Sequence, residues 1–544
     1  MYSEHKHINT LTALLVAHGV RHAVICPGNR NAPITHNLYE CPYIVCHSVT
    51  DERSAAFMAL GLGEALCQPV VVCVTSGSAL LATIPAAAEA TYRHKGIIVI
   101  SADRPSAWID QLDGQTIPQN GALSPFAHKS VTLPEGDSPL DHWHCNRLIN
   151  EALLTLKRLP HPTVHINVPI REPLFQFTTP SLPEERVVRY AQWNDATCQE
   201  LTCERLILVI GQTGHIISRE LIDTLSKHMV VLTEQLSADT LCLTEQMLCI
   251  LQSKTDKGPF IPDKVIYIGG HTVSKRLREW LRSLPETTQH IVVSEDGTLH
   301  DVSQHTTLLV EGDTEAVLHS LTSLPRTNES VFSQHWQALS EYALERHNGF
   351  TPRYSSMRAV WLLENISKTP ATYCYANSMA VRYGMLYADH YVCCNRGLNG
   401  IEGSLSTAVG MSLADKNRRV ICVVGDLSAF YDQNALCQQE IGVNLRILLL
   451  NNGGGGIFHG FMALRESGAR DSLVSASHSL TAEGLCLQCS IKYLRACDDA
   501  SLNDGIKALL SPHDDCPILL EVITDSETDM QVYQEYYNFI TQQP

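Results

Sequence analysis

The sequence predicts an α/β protein made of three Rossmann-like units, each built around a parallel sheet. Short apolar, β-branched runs alternate with helix-length stretches through most of the chain, which is the pattern of βαβ units. The alternation lapses twice, from 160 to about 200, where prolines recur, and again at 323–330. The chain of 544 residues is also longer than one hydrophobic core usually supports. We therefore expect three domains, at 1–180, 181–340 and 341–544.

The first block opens with an amphipathic stretch, Met1–Gly19. Its charged residues interrupt the apolar core that a secretory signal needs. The proline-rich segment after this block is expected to be a long surface connection. The predicted strands of the block are His22–Cys26, Tyr43–His47, Val70–Val74 and Ile97–Ile100, and the predicted helices are Glu52–Leu66 and Ala79–Arg93.

The second and third blocks repeat the alternation. The predicted strands of the second block are Arg205–Gly211, Met229–Thr233, Lys264–Gly269 and His290–Val293. Those of the third are Thr372–Ala376, Tyr391–Cys394, Val420–Val424, Leu445–Leu450 and Ile518–Ile523. Because helix-length stretches alternate with these strands, parallel pairing is expected throughout.

Composition excludes several classes of protein. The 57 acidic residues outnumber 40 Lys and Arg, and a net charge of −17 disfavours nucleic acid, whose phosphates need a basic face. No apolar run approaches the roughly 18 residues of a transmembrane helix. The 19 cysteines form no repeating framework, and the Cys486–Cys489 CxxC lacks a second pair of zinc ligands. We therefore expect reduced thiols and a cytoplasmic location.

The strongest chemical signal is a pair of oxygen-bearing residues that follow two apolar strands. Gly425-Asp426 ends one strand, Asn451-Asn452 ends the next, and a run of glycines follows. One crossover unit separates the two motifs, so both side chains are expected at the same sheet edge. A carboxylate, a carboxamide and a carbonyl of the glycine run would suit Mg²⁺. Either half alone is more often a helix cap, a turn or a mobile loop, whereas together they favour a metal site.

These motifs resemble the signature of thiamine-diphosphate-dependent enzymes, which hold the cofactor's diphosphate through a divalent metal. The three predicted domains resemble that family's pyrimidine-binding, central and diphosphate-binding domains. The resemblance implies thiamine diphosphate and Mg²⁺, with Mn²⁺ as an alternative, bound by Asp426, Asn452 and the Gly454 carbonyl. Gly453 departs from the pattern, since relatives often carry a polar residue there. The further cofactor contacts implied are Thr75, Ser76, Gly77, Asn377, Ile401, Gly425, Leu427, Ser428 and Ile457.

The same family requires a catalytic glutamate in its first domain, and Glu52 is the candidate. It stands where a predicted strand gives way to a helix. The resemblance implies that its carboxyl hydrogen-bonds the aminopyrimidine ring and relays a proton. By itself, an acid at this position would equally suit the helix dipole. The family supplies the residue across a chain interface, so a homodimer or homotetramer is expected.

Motifs outside the signature indicate which thiamine enzyme this chain resembles. Cys26–Pro33, Ala102–Pro105, Asn377–Arg382 and Gly425–Asp432 are similar, in order, to those of the 2-succinyl-5-enolpyruvyl-6-hydroxy-3-cyclohexene-1-carboxylate synthase family of menaquinone biosynthesis. That family decarboxylates 2-oxoglutarate and adds the succinyl unit to isochorismate. Each substrate carries two carboxylates, which suit the fork of arginine.

The resemblance to these synthases implies a largely cationic set of substrate contacts. Taken singly, each charged member would more often be a surface ion-pair residue. Relatives carry Ser and Asn where this chain has Asn29 and Gly114, which leaves those two contacts open. Ser378, Arg382 and Arg396 are also expected to act in catalysis. The substrate set is Arg30, Arg104, Gln115, Lys275, Arg276, Ser378, Arg382, Arg396, Ile457 and Phe458.

Two other classes of protein stay open at this point. A thiamine-diphosphate 2-oxoacid decarboxylase or an acetohydroxyacid synthase would share the signature, and the latter would bind FAD in its central domain. A non-catalytic nucleotide-binding or assembly protein would share the three layers but would not bind thiamine diphosphate.

Overall fold

The computed structural model describes residues 1–159, 162–367, 370–438, 440–511 and 515–542. The chain divides into two compact units, one of residues 1–192 with 294–311 and the other of 193–293 with 312–544. Parallel strands with interleaved helices make up both units, which confirms the α/β class. The three predicted domain boundaries stay a prediction.

Six parallel strands form the main sheet of the first unit. They are β1 (His22–Ile25), β2 (Val45–Ser48), β3 (Val71–Val74), β4 (Ile98–Asp103), β5 (Lys129–Thr132) and β6 (Val164–Pro169), in the order β2-β1-β3-β4-β6-β5. Its helices are α1 (Lys6–Ala17), α2 (Ala32–Glu40), α3 (Glu52–Leu66), α4 (Ser78–Ala82), α5 (Ile84–Tyr92) and α6 (Pro139–Arg158). The inner strands β3 and β4 are buried along their length, as expected where helices cover both faces of a sheet.

Two predictions for the first block are wrong in detail. The segment from 160 to 200 is not only a surface connection, because the buried strand β6 lies in it and pairs with β4 and β5. Residues 160 and 161, where that segment begins, lie outside the described ranges.

The predicted helix Ala79–Arg93 is two helices, α4 and α5, which meet at Thr83. Pro85 explains the break, since it lacks the N–H that would continue α4.

A second set of parallel strands belongs mainly to the second unit. In spatial order it is β11 (Gln289–Ser294), β10 (Lys264–Ile268), β8 (Leu206–Ile210) and β9 (Val230–Thr233). In the first unit, β7 (Arg189–Gln192) pairs with β12 (Thr306–Glu311). The helices of this stretch are α7 (Asp195–Glu200), α8 (Arg219–Leu225), α9 (Thr244–Ser253), α10 (Lys275–Ser283), α11 (Thr314–Leu321) and α12 (Val331–Asn348).

The third sheet lies wholly in the second unit and has five parallel strands. They are β13 (Ala371–Tyr375), β14 (Arg419–Gly425), β15 (Leu445–Asn451), β16 (Lys492–Ala496) and β17 (Ile518–Ile523), in the order β13-β14-β15-β17-β16. Its helices are α13 (Ser356–Ile366), α14 (Met379–Tyr387), α15 (Ser404–Ala414), α16 (Asp426–Tyr431), α17 (Glu483–Gln488), α18 (Asp499–Leu509) and α19 (Ser526–Thr541).

The predicted strand Tyr391–Cys394 is wrong. This segment makes a single bridge, between Cys393 and Cys374 of β13. The N–H of Tyr391, which is in phase with Cys393 and would make the next ladder bond to β13, instead donates to Oδ1 of Asp239 over 2.9 Å.

Among the described helices, none combines the length and hydropathy that crossing a bilayer would require. All 19 cysteines, each within the described ranges, are free thiols.

Candidate active site

The carboxyl ends of β14 and β15 meet at one cavity of the second unit. The two strands pair in parallel up to Gly425 and Leu450. Asp426 begins α16 directly after β14, and Asn452 directly follows β15. The cavity is lined by both residues and by the predicted contacts Gly425, Leu427, Ser428, Gly454, Ile457, Phe458, Asn377, Ser378 and Ile401. The structure therefore brings these predicted residues together.

Asp426 is buried and its carboxylate is held by backbone amides. The N–H of Leu427 donates to Oδ1 over 2.7 Å, and the N–H of Gly454 donates to Oδ2 over 2.9 Å. Burial raises the pKa of Asp426, and the Leu427 amide and nearby His478 act against that rise. Each carboxylate oxygen accepts one backbone amide and keeps a lone pair that a cation could use.

His478 faces Asp426, and the sequence analysis missed it. Its Nε2 lies 3.3 Å from Oδ2 of Asp426, and its Nδ1 accepts the N–H of Leu480 over 3.1 Å. Nε2 is buried and makes no hydrogen bond among the described residues, so the ring faces the carboxylate without donating to it. The backbone N–H of His478 also donates to the Gly453 carbonyl over 2.9 Å. No motif in the sequence marks this residue.

Asn452 is oriented by a second residue that the sequence analysis missed, Asp529. Nδ2 of Asn452 donates to Oδ2 of Asp529 over 2.9 Å. Burial raises the pKa of Asp529, while hydrogen bonds from Ser356 and Asn452 lower it. The carboxamide nitrogen is thus used by the protein, and the oxygen remains for a ligand.

The glycine run fits tightly against the backbone behind the cavity. Gly453 and Gly454 have φ angles of 78° and 154°, which disfavour a residue with a side chain. A Cβ at Gly454 would lie 2.8 Å from the carbonyl oxygen of Ser475. Carboxylate, carboxamide and backbone carbonyl oxygens are hard ligands, so this donor set fits Mg²⁺. Within the described ranges there is no cluster of three or more His, Cys, Asp or Glu residues that could hold a metal.

Arg396 is buried next to Asn377 in the second unit. Its Nη1 donates to Oδ1 of Asn377 over 3.0 Å, and its Nη2 donates to the Thr272 carbonyl over 3.3 Å. Burial lowers the pKa of Arg396, and the nearby cation Arg382 contributes in the same direction. Ser378, between Asn377 and α14, has a φ of 71°, a strained backbone state that recurs at functional sites.

Lys275 and Arg276 begin α10, also in the second unit, but they differ in environment. Lys275 is exposed, and its Nζ lies 3.2 Å from Glu279. Arg276 forms an ion pair with Glu245 and stacks on Tyr537 with 4.2 Å between the guanidinium carbon and the ring centroid. A substrate carboxylate that binds Arg276 would have to share it with Glu245.

The first unit holds Glu52 and the predicted pyrimidine turn. Glu52 is the first residue of α3 and is half-buried. The turn Thr75–Gly77 is buried, and the N–H of Gly77, at φ 77°, donates to Oε1 of Gln119 over 2.7 Å. Gln115 reaches the Ser76 carbonyl from Nε2 over 3.4 Å. Gln119 was not predicted from the sequence, and it fixes the shape of this turn.

Arg30 and Arg104 lie in the first unit, and each has an acidic partner. Nη1 of Arg30 lies 3.1 Å from Glu172, and Nε of Arg104 lies 3.5 Å from Asp113. Burial lowers the pKa of Arg30, and the positive charge of Arg104 lowers it further. Arg104 donates to the hydroxyl of Ser76, and Nη1 of Arg30 donates to the Ile170 carbonyl over 2.9 Å. Among the described residues, Nε of each arginine is buried without a hydrogen-bond partner. A dianion that binds both guanidinium groups would have to compete with Glu172 and Asp113.

Comparison with known families defines the class of the protein. Residues 6–123 match the family described as thiamine pyrophosphate enzyme, N-terminal TPP binding domain. Residues 374–522, which contain β14, β15 and the glycine run, match the C-terminal TPP binding domain. The chain is therefore an enzyme of the thiamine diphosphate class.

Curated relatives narrow this class to one family. The chain is 41% identical over 557 residues to the 2-succinyl-5-enolpyruvyl-6-hydroxy-3-cyclohexene-1-carboxylate synthase of Bacteroides fragilis, covering 99% of both chains. It is 39% identical to the enzyme of the same name from Bacteroides thetaiotaomicron, covering 100% of both, and 29% identical to that of Porphyromonas gingivalis, covering 99% and 98%. The chain belongs to the 2-succinyl-5-enolpyruvyl-6-hydroxy-3-cyclohexene-1-carboxylate synthase family.

Proposed function

We propose that this enzyme decarboxylates 2-oxoglutarate and joins the succinyl unit to isochorismate, as a step of menaquinone biosynthesis. The observation that carries the proposal is the convergence of Asp426, Asn452 and the glycine run at one sheet edge, in a chain whose relatives are named for this product. When bound, thiamine diphosphate supplies the carbanion chemistry.

The protein's part at the diphosphate end is to hold the metal. We assign Asp426, the Asn452 oxygen and the Gly454 carbonyl as ligands of Mg²⁺, for which Mn²⁺ could substitute. The amides of Leu427 and Gly454 preorganise Asp426 before any ligand arrives.

Glu52 is proposed to hold and move the proton of the aminopyrimidine ring. It belongs to the first compact unit, whereas the metal ligands belong to the second. By the family's arrangement, one chain supplies Glu52 and its partner supplies Asp426, so a homodimer is the smallest active assembly and a homotetramer pairs two of them.

The arginines are proposed to bind the carboxylates of the two substrates. Nε of Arg30 is buried without a hydrogen-bond partner, and Arg104 would exchange its contact with Asp113 for a substrate carboxylate. Buried Arg396 lies close to Arg382. Ile457 and Phe458 line the cavity and would shield the reacting atoms from water. Gln115, Lys275, Arg276 and Ser378 remain proposed substrate contacts. The free cysteines suit the predicted cytoplasmic location, which stays a prediction.

The proposal is tested by incubating the protein with thiamine diphosphate, Mg²⁺ and 2-oxoglutarate, with and without isochorismate. We expect the succinylated cyclohexene product, identified by mass spectrometry, and CO₂ release that increases when isochorismate is added. Rapid isochorismate-independent CO₂ release from pyruvate would instead indicate a decarboxylase. Bound FAD would indicate an acetohydroxyacid synthase.

A further inference from the structure

One hydrogen bond joins Asn452 to the C-terminal helix α19. Nδ2 of Asn452 donates to Oδ2 of Asp529 over 2.9 Å, across 77 positions of sequence. A carboxylate accepts hydrogen bonds and does not donate them, so the NH₂ group of the carboxamide must face Asp529. The amide oxygen is left for the cavity that Asn452 lines.

Asp529 is itself fixed in place. It is 3% exposed, and its Oδ1 accepts the N–H of Ser356 over 2.7 Å. Its Oδ2 accepts the hydroxyls of Ser356 and Thr524 over 2.6 and 3.0 Å. These three hydrogen bonds hold the carboxylate of Asp529 in the orientation in which it accepts Nδ2 of Asn452.

We propose that Asp529 is a positioning residue for metal binding. It orients the Asn452 carboxamide so that the amide oxygen, and not the NH₂ group, faces the cation. The inference rests on the metal site of the proposed function. An NH₂ group has no lone pair for a cation, so a flipped carboxamide would remove one ligand. Loss of an outer partner of a metal ligand typically costs about 10–100-fold in metal affinity.

The variant Asp529→Asn tests the orientation. The N–H of Ser356 can only donate, so it keeps the remaining oxygen of residue 529, and the new NH₂ group then opposes Nδ2 of Asn452. We expect the Mg²⁺ concentration that half-saturates thiamine diphosphate binding, followed by intrinsic fluorescence, to rise about 10–100-fold. The control is Glu535→Gln on the same helix, which removes an exposed ion pair to Arg353 and should bind as the parent does.

A reciprocal swap separates orientation from simple damage. In the double variant Asn452→Asp, Asp529→Asn, the NH₂ group of residue 529 donates to the carboxylate of residue 452, whose other oxygen can bind the metal. We expect this variant to recover at least about tenfold of the affinity that Asp529→Asn loses.

The outcomes distinguish the inference from the function on which it rests. If Asp529→Asn shows the Mg²⁺ dependence of the parent, the role of Asp529 is overturned and the metal site itself is not. The same holds if the double variant binds Mg²⁺ no better than Asp529→Asn. If Asp529→Asn does not fold, the swap variant decides: binding near the parent's supports the role, and weak binding overturns it. A parent protein whose cofactor binding ignores Mg²⁺ refutes both the metal site and this inference.

Discussion

Glu52 and Asp426 are the two carboxylic acids on which the proposed chemistry depends, and their surroundings differ. Glu52, proposed to relay a proton, is half-buried at the start of α3. Asp426, proposed as a metal ligand, is buried and held by two backbone amides. The proposed division of roles therefore follows a difference in burial and hydrogen bonding between two carboxylic acids.

Glu52→Gln should bind cofactor and turn over slowly. Glutamine keeps the size and hydrogen-bonding capacity of the side chain but cannot take up or release the proton. We expect kcat to fall at least about 100-fold, with the thiamine diphosphate affinity within a few-fold of the parent. Steady-state kinetics together with a cofactor titration checks this. A parent-like kcat would remove Glu52 from the mechanism.

His478→Ala should weaken the metal site without unfolding the protein. The substitution removes the imidazole ring whose Nε2 lies 3.3 Å from Oδ2 of Asp426. We expect the half-saturating Mg²⁺ concentration to rise about tenfold. His478→Gln, whose amide can reach the same position, serves as the conservative control and should restore most of the affinity. Equal Mg²⁺ dependence in the parent and in His478→Ala contradicts a role for the ring.

Some of these residues could be predicted from sequence and others could not. Asp426 and Asn452 each follow an apolar strand, and one crossover connects them, so a local pattern contains both. Asp529 and His478 reach the same site from α19 and from the loop before α17. Only tertiary packing places them there, and no spacing rule in a single sequence encodes it.

At the scale of elements, strands flanked by clear helical stretches were predictable. The predicted strand Ile518–Ile523 coincides with β17, and the predicted helix Glu52–Leu66 coincides with α3. β6 escaped prediction because neighbouring prolines concealed a short buried run. The predicted strand Tyr391–Cys394 was wrong because the N–H of Tyr391 donates to the side chain of Asp239 rather than to β13. Which partner a backbone N–H finds depends on tertiary packing, so a local sequence pattern does not predict it.

Gly454→Ala should disrupt the loop between β15 and α17. Its φ of 154° and the 2.8 Å approach of a Cβ to the Ser475 carbonyl both oppose a side chain. We expect the free energy of unfolding to fall by about 1–3 kcal/mol, with loss of Mg²⁺-dependent cofactor binding. Chemical denaturation measures the first effect. Gly468→Ala is the control, because a Cβ there has no atom within 4 Å. If the two variants have the same free energy of unfolding, the steric argument for Gly454 is wrong.

At the scale of the whole molecule, the net charge of the chain is opposite in sign to the charge that the proposed site needs. The net charge of −17 coexists with buried arginines such as Arg396. The proposed substrates are dianions, so cations are needed at the site even though the chain as a whole is acidic.

Mixing two inactive variants tests the shared site. If one chain supplies Glu52 and its partner Asp426, then Glu52→Gln mixed with Asp426→Ala forms heterodimers with one intact site. Random exchange of equal amounts predicts about one quarter of the parent activity. Each variant assayed alone is the control. A mixture no more active than its components, after exchange is confirmed by mass spectrometry, would place both residues in one chain.

The most direct test of the account is a calorimetric titration of thiamine diphosphate into the parent and into Asp426→Ala, with Mg²⁺ and then with EDTA. We predict saturable binding to the parent that requires Mg²⁺, and no measurable binding to Asp426→Ala. Binding of equal strength to both proteins would contradict a metal-held cofactor at the carboxyl ends of β14 and β15.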